Sequence, residues 1–374
     1  MIPFFKHSLI KNKNYIKNTL RSSYLTSGPV CEKAEKLLQK KFKKKYAILT
    51  NSWTNGLIAI LLSLKLRPQD EIIIPACTFV ACANVIEMVN AKVVFADIDS
   101  STKLMDINDC LKKVTKNTKV IMPVHLYGNL FPTKNLKNKI RKSIIIIEDS
   151  AHAFCGEYHK NIIGKYSDFL VFSFYATKSI TCGEGGAVMT NNKESYEKIR
   201  SISNNGMTKP AFKRFINNRY IPWDVYQYGF KANLSDINAS VLIDQIKNYD
   251  KIVRVKKKIF LKYKKSLSQI KQISFPKENP NTNRDYYLFP IGVPSKYRNK
   301  LIEHLLEKKI FVTVNFTSVA DLNYYKKKYK NTNCVVSRKW GNEQISLPFH
   351  AKLKDKEILE ITNVLKNFFF NLEI

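Results

Sequence analysis

A chain of 374 residues that is 44% hydrophobic and 12% aromatic is long enough to bury one large core and a smaller one beside it. It holds no apolar run of about 18 residues, the length of a membrane span, and its start, M-I-P-F-F-K-H-S, lacks the apolar segment and cleavage site of a secretory leader, so a cytoplasmic location without a membrane partner is expected. Seven scattered cysteines with no C-x-x-C pair argue against a disulfide framework or a metal site, and a formal charge of +33, spread from Lys6 to Lys366 without aromatic interleaving, favours a lysine-rich bias over a nucleic-acid surface.

In chain order, the first 28 residues run from Ile2-Pro3-Phe4 through a basic segment of helical pattern to the turn Thr26-Ser27-Gly28-Pro29. A helix is predicted over 30–44 and a short apolar strand over 46–50. Asn51-Ser52-Trp53-Thr54-Asn55-Gly56 then leads into the apolar run 57–66. Hydroxyl and amide side chains at a strand-to-helix junction are natural N-caps. The same junction is a ready anion site, because its free N–H groups and the helix dipole both face outward. Capping and anion binding both account for these residues.

Apolar strands then alternate with helical stretches. Strands are expected over 71–74, 92–96, 119–124, 143–147, 168–174 and 186–190, and helices over 78–89, 107–114, 136–141 and 193–201. Strands this apolar belong to a sheet covered by helices on both faces. That is an α/β domain whose functional groups gather at the carboxyl ends of its strands. Polar residues do follow those ends: Thr78-Phe79 after Pro75, His125 and Tyr127 after Val124, and Glu148-Asp149-Ser150-Ala151-His152 after an isoleucine run. Asp149 is therefore expected at the mouth of the sheet, as a helix cap or as the partner of a cation.

Over 203–229 periodicity fades, and the aromatic stretch Trp223 to Tyr228 reads as a lid or as a segment reaching a partner subunit. A long helix with Ser235 as its cap is predicted to about Leu267. The remainder alternates strands (286–293, 311–314) with helices (298–308, 355–370), a smaller α+β unit. The expected division is a large domain over 1–245 and a small one over 246–374.

The stretch that organises the rest is Phe172 to Gly186, F-S-F-Y-A-T-K-S-I-T-C-G-E-G-G. A strand enters a hydroxyl-rich turn and then meets Gly183, Gly185 and Gly186, a cluster no regular element tolerates. Lys178 sits among Ser, Thr, Tyr and Phe rather than in a charge run. Desolvation in such a pocket favours a neutral amine, which imine chemistry with a carbonyl requires; an ordinary strand-to-loop lysine is the alternative. Cys182 nearby reads as a small buried apolar group before a reactive thiol. A lysine after one strand, a carboxylate at the mouth of another and a hydroxyl-rich helix start are together the set that pyridoxal phosphate needs for its aldehyde, its ring nitrogen and its phosphate.

With those pieces in place the sequence resembles the DegT-type sugar aminotransferases, pyridoxal-phosphate enzymes of fold type I that act on nucleotide-linked keto sugars. The resemblance rests on motifs in order over nearly the whole chain: Ile2-Pro3-Phe4, Ser27-Gly28-Pro29, Ser52-Trp53-Thr54, Pro75 with Thr78-Phe79, Val124 to Gly128, Glu148 to His152, Phe172-Ser173-Phe174 with Lys178, Gly183 to Gly186, Gly229-Phe230-Lys231 with Asn233 and Ser235-Asp236, and Ser346-Leu347-Pro348. It implies a large cofactor-binding domain with a mixed, mostly parallel sheet and a small C-terminal α+β domain.

By this resemblance Lys178 is the lysine joined to the cofactor, Asp149 the partner of its ring nitrogen, Phe79 the aromatic stacked on its ring, and His152 a neighbour of Asp149. Trp53, Thr54 and Ser173 would cradle the phosphate. Asn233 and Lys231 would reach the same phosphate from the other subunit of a homodimer. His125, Tyr127 and Glu184 take stabilising or substrate roles. Glutamate is implied as amino donor and a nucleotide sugar as acceptor, a UDP- or dTDP-linked 4-keto-6-deoxyhexose on the Lys231-x-Asn233 variant. One departure stands out, since Trp53 occupies the place where the family usually carries glycine. Relatives that dehydrate instead of transaminating carry histidine for the lysine, so Lys178 favours transamination over dehydration.

Overall fold

Seven short strands build the central sheet: β1 (Tyr46–Thr50), β2 (Glu71–Pro75), β3 (Lys92–Ala96), β4 (Thr118–Ile121), β5 (Ile145–Asp149), β6 (Phe169–Ser173) and β7 (Gly186–Thr190). The computed structural model describes residues 1–7, 14–209, 215, 216, 219–330 and 332–371. The strands lie in the order β1-β7-β6-β5-β4-β2-β3. β7 runs antiparallel to both of its neighbours, while β6, β5, β4, β2 and β3 pair in parallel. Because β7 runs backwards, its first residue, Gly186, lies at the carboxyl ends of its neighbours, paired with Thr50 on one side and Ser173 on the other.

Period-two alternation sorts the strand side chains into cores on the two faces. Ile48, Val171 and Val188 enter the core beneath the helix Trp53–Ser63, whereas Leu49, Leu170, Phe172 and Met189 enter the one shared with Leu38, Phe42 and Leu242. A further core joins the second half of the long helix Asp236–Leu267 to an antiparallel pair, β8 (Phe289–Gly292) and β9 (Gln344–Leu347), and to the helices Ser295–Glu307 and Asp355–Phe370. One helix thus feeds two cores, with Leu242, Ile243 and Ile246 in the first and Ile259, Phe260 and Tyr263 in the other.

Two motifs meet at the start of that helix. The buried carboxylate of Asp236 accepts the amides of Gly28 at 2.8 Å, Val30 at 3.1 Å and Cys31 at 2.9 Å, capping the helix Pro29–Phe42. Ser235 caps its own helix, accepting the Asn238 amide at 3.2 Å.

The structure departs from the expected boundaries in informative places. The helix expected over 78–89 spans only Ala81–Met88, since the loop before it carries Thr78 and Phe79 over the sheet. The helix expected over 136–141 forms earlier, at Thr133–Lys137. No strand forms over 311–314; Thr313 makes a single bridge with Ser346, and β8 takes β9 as its partner instead. The lysines are not wholly solvated either. Lys44 is buried and donates to the Ser167 carbonyl at 3.2 Å, and Lys256 is 3% exposed. Among the described residues no helix is long and apolar enough to cross a membrane. Parts of the basic N-terminal stretch and of the 203–229 segment, and the last three residues of the expected small domain, lie outside the described residues.

Candidate active site

The carboxyl ends of β1, β2, β5 and β6 open into a cavity of about 320 Å³ that holds Trp53, Thr54, Phe79, Asp149, His152, Ser173 and Lys178 together. Local sequence explains how each arrives. Thr50 donates its hydroxyl to the Ser52 carbonyl at 2.8 Å, turning the chain out of β1. Ser52 then accepts the Asn55 amide at 3.1 Å and starts the helix Trp53–Ser63. The first amides of a helix have no carbonyl partner within it, and the helix dipole adds positive potential there. With the hydroxyls of Thr54 and Ser173 beside it, this end suits an anion. The tryptophan standing where glycine is usual is 7% exposed and packs into the core below, its indole N–H buried without an acceptor. Gly186 does the close-approach work instead: a β-carbon there would meet the Ser52 and Trp53 backbone at 2.5–2.6 Å.

Asp149 ends β5 and is buried. Its Oδ1 accepts the Ala151 amide at 2.9 Å and its Oδ2 accepts the Cys82 thiol at 3.4 Å. Burial raises its carboxyl above the ordinary value, with the Ala151 amide and the Lys178 charge pulling the other way. His152 is held well below its usual range by burial first and by Lys178 second, so its ring is neutral. That ring packs against Tyr287, with centroids 4.4 Å apart, and stacks on Phe316 at 5.6 Å. Phe316 also touches Phe79, at 5.6 Å between centroids, and Phe79 itself is 55% exposed at the cavity rim.

Lys178 closes a turn by donating its amide to the Tyr175 carbonyl at 2.9 Å, and its Nζ lies 5.0 Å from the centre of the Tyr287 ring. The Tyr287 hydroxyl is 3.4 Å from Thr177 Oγ1. Tyr287 is supported from behind by Lys256, whose buried amine donates to the Tyr287 carbonyl at 3.1 Å. Burial pushes the Lys256 amine down to about 8, with Asp285 opposing the shift.

Sequence reasoning missed Cys82, Tyr287, Asn315 and Phe316, all of which line the cavity. Tyr287, Asn315 and Phe316 come from loops of the C-terminal part and carry no local signal. Tyr175 and Thr177, by contrast, stand in the Lys178 turn and were open to notice.

Other expected residues lie elsewhere. Lys231 is exposed and Asn233 is held beside Ser27 by its side-chain amide, both outside this cavity. The segment between them is tied to β1, with the Asn51 amide donating to the Ala232 carbonyl at 2.6 Å. His125 is fully buried against Glu148 at 2.9 Å and accepts the Phe131 amide at 3.0 Å, a structural pair away from the cavity. Tyr127 receives the Trp340 indole N–H at 2.9 Å and donates to the Asn315 carbonyl. Glu184 does line the cavity. Cys182 is buried and its thiol is pushed far up by that burial, which leaves it inert.

Comparison with known proteins gives a consistent picture. The model of the DegT/DnrJ/EryC1/StrS aminotransferase family matches residues 10–366. The uncharacterized protein MJ1066 of Methanocaldococcus jannaschii is 33% identical over 361 residues, covering 94% of this chain and 93% of its own. The spore coat polysaccharide biosynthesis protein SpsC of Bacillus subtilis is 29% identical over 360 residues, covering 94% and 92%. Among solved structures, Spr1654 of Streptococcus pneumoniae, assigned as a sugar aminotransferase, superposes in its PMP form with a TM-score of 0.89 at 27% identity, over 98% of this chain and 99% of its own. Its PLP form gives a TM-score of 0.88 at 26% identity, with the same coverage.

Proposed function

The chain belongs to the DegT/DnrJ/EryC1/StrS aminotransferase family, and from that membership we propose that it moves an amino group from glutamate to a nucleotide-diphosphate-linked keto-deoxy sugar, a 4-keto-6-deoxyhexose carried on UDP or dTDP. It is a transaminase of the pyridoxal-phosphate fold type I, and pyridoxal phosphate is its cofactor. The observation that carries the reading is the meeting of one amine, one buried carboxylate and one helix N-terminus in a single cavity. The donor set fits the group. Lys178 offers an amine for the aldehyde, Asp149 with His152 beside it an anion for the ring nitrogen, Phe79 a flat face for the ring, and Trp53, Thr54 and Ser173 the donors for the phosphate.

When bound, pyridoxal phosphate supplies an aldehyde that condenses with amines and a cationic ring that draws electrons from the adjoining carbon. With the cofactor bound, Lys178 would hold its aldehyde and, once the amino donor has taken that place, its free amine would stand ready to take and return the proton of the donor's α-carbon. It is nucleophile, base and acid in turn. Asp149 holds a proton at the ring nitrogen, a role a buried carboxylate performs in a site with few competing waters. His152, neutral and packed between Tyr287 and Phe316, keeps Asp149 and the ring in register. In the second half the same residues act in reverse on the keto carbon of the sugar.

Two further assignments belong to this proposal. Lys231 and Asn233 of one protomer serve the phosphate of its partner in a cytoplasmic homodimer, a reading supported by their lying outside their own cavity. The chain divides into a large domain over 1–245 and a small one over 246–374, a reading supported in outline by the long helix whose two halves feed two cores, the change of core falling after Tyr249.

The test is an absorbance spectrum of the reconstituted protein before and after glutamate, beside Lys178→Ala. A long-wavelength band that shifts with glutamate, and that the variant cannot form, is expected; a colourless or unresponsive protein sinks the reading. Mass analysis of products from UDP- and dTDP-linked 3-keto and 4-keto sugars then selects the acceptor.

A further inference from the structure

Asp149 has two protein partners, and one of them is unusual. Oδ1 accepts a backbone amide, a strong and fixed donor, whereas Oδ2 lies 3.4 Å from the sulfur of Cys82. Cys82 stands in the first turn of the helix Ala81–Met88, is 1% exposed and lines the cavity. Its other polar neighbour is Thr78 Oγ1 at 3.3 Å. Burial, and then the charge of Asp149, push the thiol well up, so it stays S–H and remains a donor. An ionised carboxylate accepts better than a hydroxyl, so the thiol proton goes to Asp149 and the Thr78 hydroxyl is left to donate to the sulfur.

A thiol is a weak donor. It marks a direction for the carboxylate without drawing much of its charge. A hydroxyl in the same place would fix the direction equally well and take a larger share of that charge. An alkyl group would do neither.

We propose that Cys82 is a positioning residue of the reaction, holding Asp149 in one rotamer through a weak S–H donor so that the carboxylate keeps its charge for the ring nitrogen of the cofactor. This rests on the reading of Asp149 as the partner of that nitrogen. Cys82 acts only through Asp149 and touches no reacting atom.

The direct test is infrared spectroscopy of the S–H stretch, which lies in a window clear of other protein bands and falls in frequency when the thiol donates. The Cys82 band is assigned by its loss in Cys82→Ser. It is expected at lower frequency than the bands of free thiols and should rise in Asp149→Asn, because an amide oxygen accepts more weakly than a carboxylate. The second measurement is the nitrogen-15 titration of ring-labelled pyridoxal phosphate in the holoenzyme. The ring nitrogen should hold its proton to highest pH in the wild type and to lower pH both in Cys82→Ala, where the direction is lost, and in Cys82→Ser, where the hydroxyl takes more of the carboxylate's charge, each by roughly half a pH unit to one unit.

A Cys82 band at the free-thiol position, unmoved in Asp149→Asn, would overturn the contact itself. A normal band with no ordering of the ring titrations would overturn the positioning role. If Asp149→Asn left the ring titration unchanged, Asp149 would not be the partner of the nitrogen, and the failure would lie in that assignment.

Discussion

A β-carbon on Gly186 would stand 2.5 Å from the carbonyl carbon of Ser52, so the first turn of the helix Trp53–Ser63 rests directly on the bare backbone of β7. In the proposed site that closeness matters, because the amides at the helix start are the ones that would take the phosphate. Gly186→Ala must push the turn away, and overpacking of this kind costs about 1–3 kcal/mol. A loss of cofactor affinity of about tenfold or more is expected, larger than the drop in thermal stability alone explains. Titration with pyridoxal phosphate, followed by absorbance, checks it; unchanged affinity would show that the phosphate lies elsewhere.

Asp149, in the role proposed for it, comes at a cost in stability. Burial raises its carboxyl above the ordinary value, so at neutral pH the folded apoprotein carries an ion that it holds less well than the unfolded chain does. As pH falls through the raised value, the folded state takes the proton first and the penalty disappears. Asp149→Asn should therefore melt higher than the wild type at pH 7 in the apo form, with the gap closing in acid, while transamination falls by about a thousandfold or more. Melting curves of the two apoproteins at neutral and acid pH decide it; a variant less stable at pH 7 would contradict the account.

Lys256 gives the opposite slope. Its amine is held near 8 in the folded protein, so between about pH 8 and its ordinary value the unfolded chain binds a proton that the folded chain does not. The burial penalty is present in full below 8 and is lost as pH rises across that window, a swing of about 3 kcal/mol. Relative to Lys256→Met, the wild type should gain in melting temperature from pH 7.5 to pH 10. A difference between the two proteins that stays flat with pH would mean that Lys256 is solvated.

Asp236 does not line the cavity and matters for a different reason. Removing its carboxylate leaves the buried amides of Gly28, Val30 and Cys31 without an acceptor. Asp236→Ala should lower stability by about 3 kcal/mol, and Asp236→Asn by less, because one oxygen remains to accept. At a temperature where the variants stay folded, kcat should be close to that of the wild type. A fall in kcat without a fall in melting temperature would move Asp236 into the working site.

Much of the site could be read from residues whose neighbours in sequence are also their neighbours in space. Asp149 follows an isoleucine run that can only be a buried strand, and Lys178 stands in a turn between a strand and a glycine cluster. Tyr287 and Phe316 reach the cavity only through the docking of loops distant in sequence, which no local pattern reports, whereas Cys82 lies one helical turn beyond Phe79 and was within local reach. Lys256 is an intermediate case. Within K-K-K it looks like surface, yet its spacing from Tyr249, Phe260 and Tyr263 puts it on the buried face of the helix. The strand expected over 311–314 failed because a short apolar run does not name its partner, and β8 pairs with β9 instead. Trp53 shows the converse, a departure from pattern that the fold absorbs by burying the indole.

The backward strand also sets when the site can exist during synthesis. β1 leaves the ribosome early, but its partner in the sheet is β7, and Thr50 pairs with Gly186 across a long stretch of intervening chain. Pairing at such separation is slow, because the loop must close before any contact rewards it. Until β7 slides between β1 and β6, the helix start at Trp53 has nothing to rest on. Nascent chains that end short of Gly186 therefore lack the support beneath the helix start, and the proposed phosphate cradle would be completed only late in folding, as a clasp on a finished sheet.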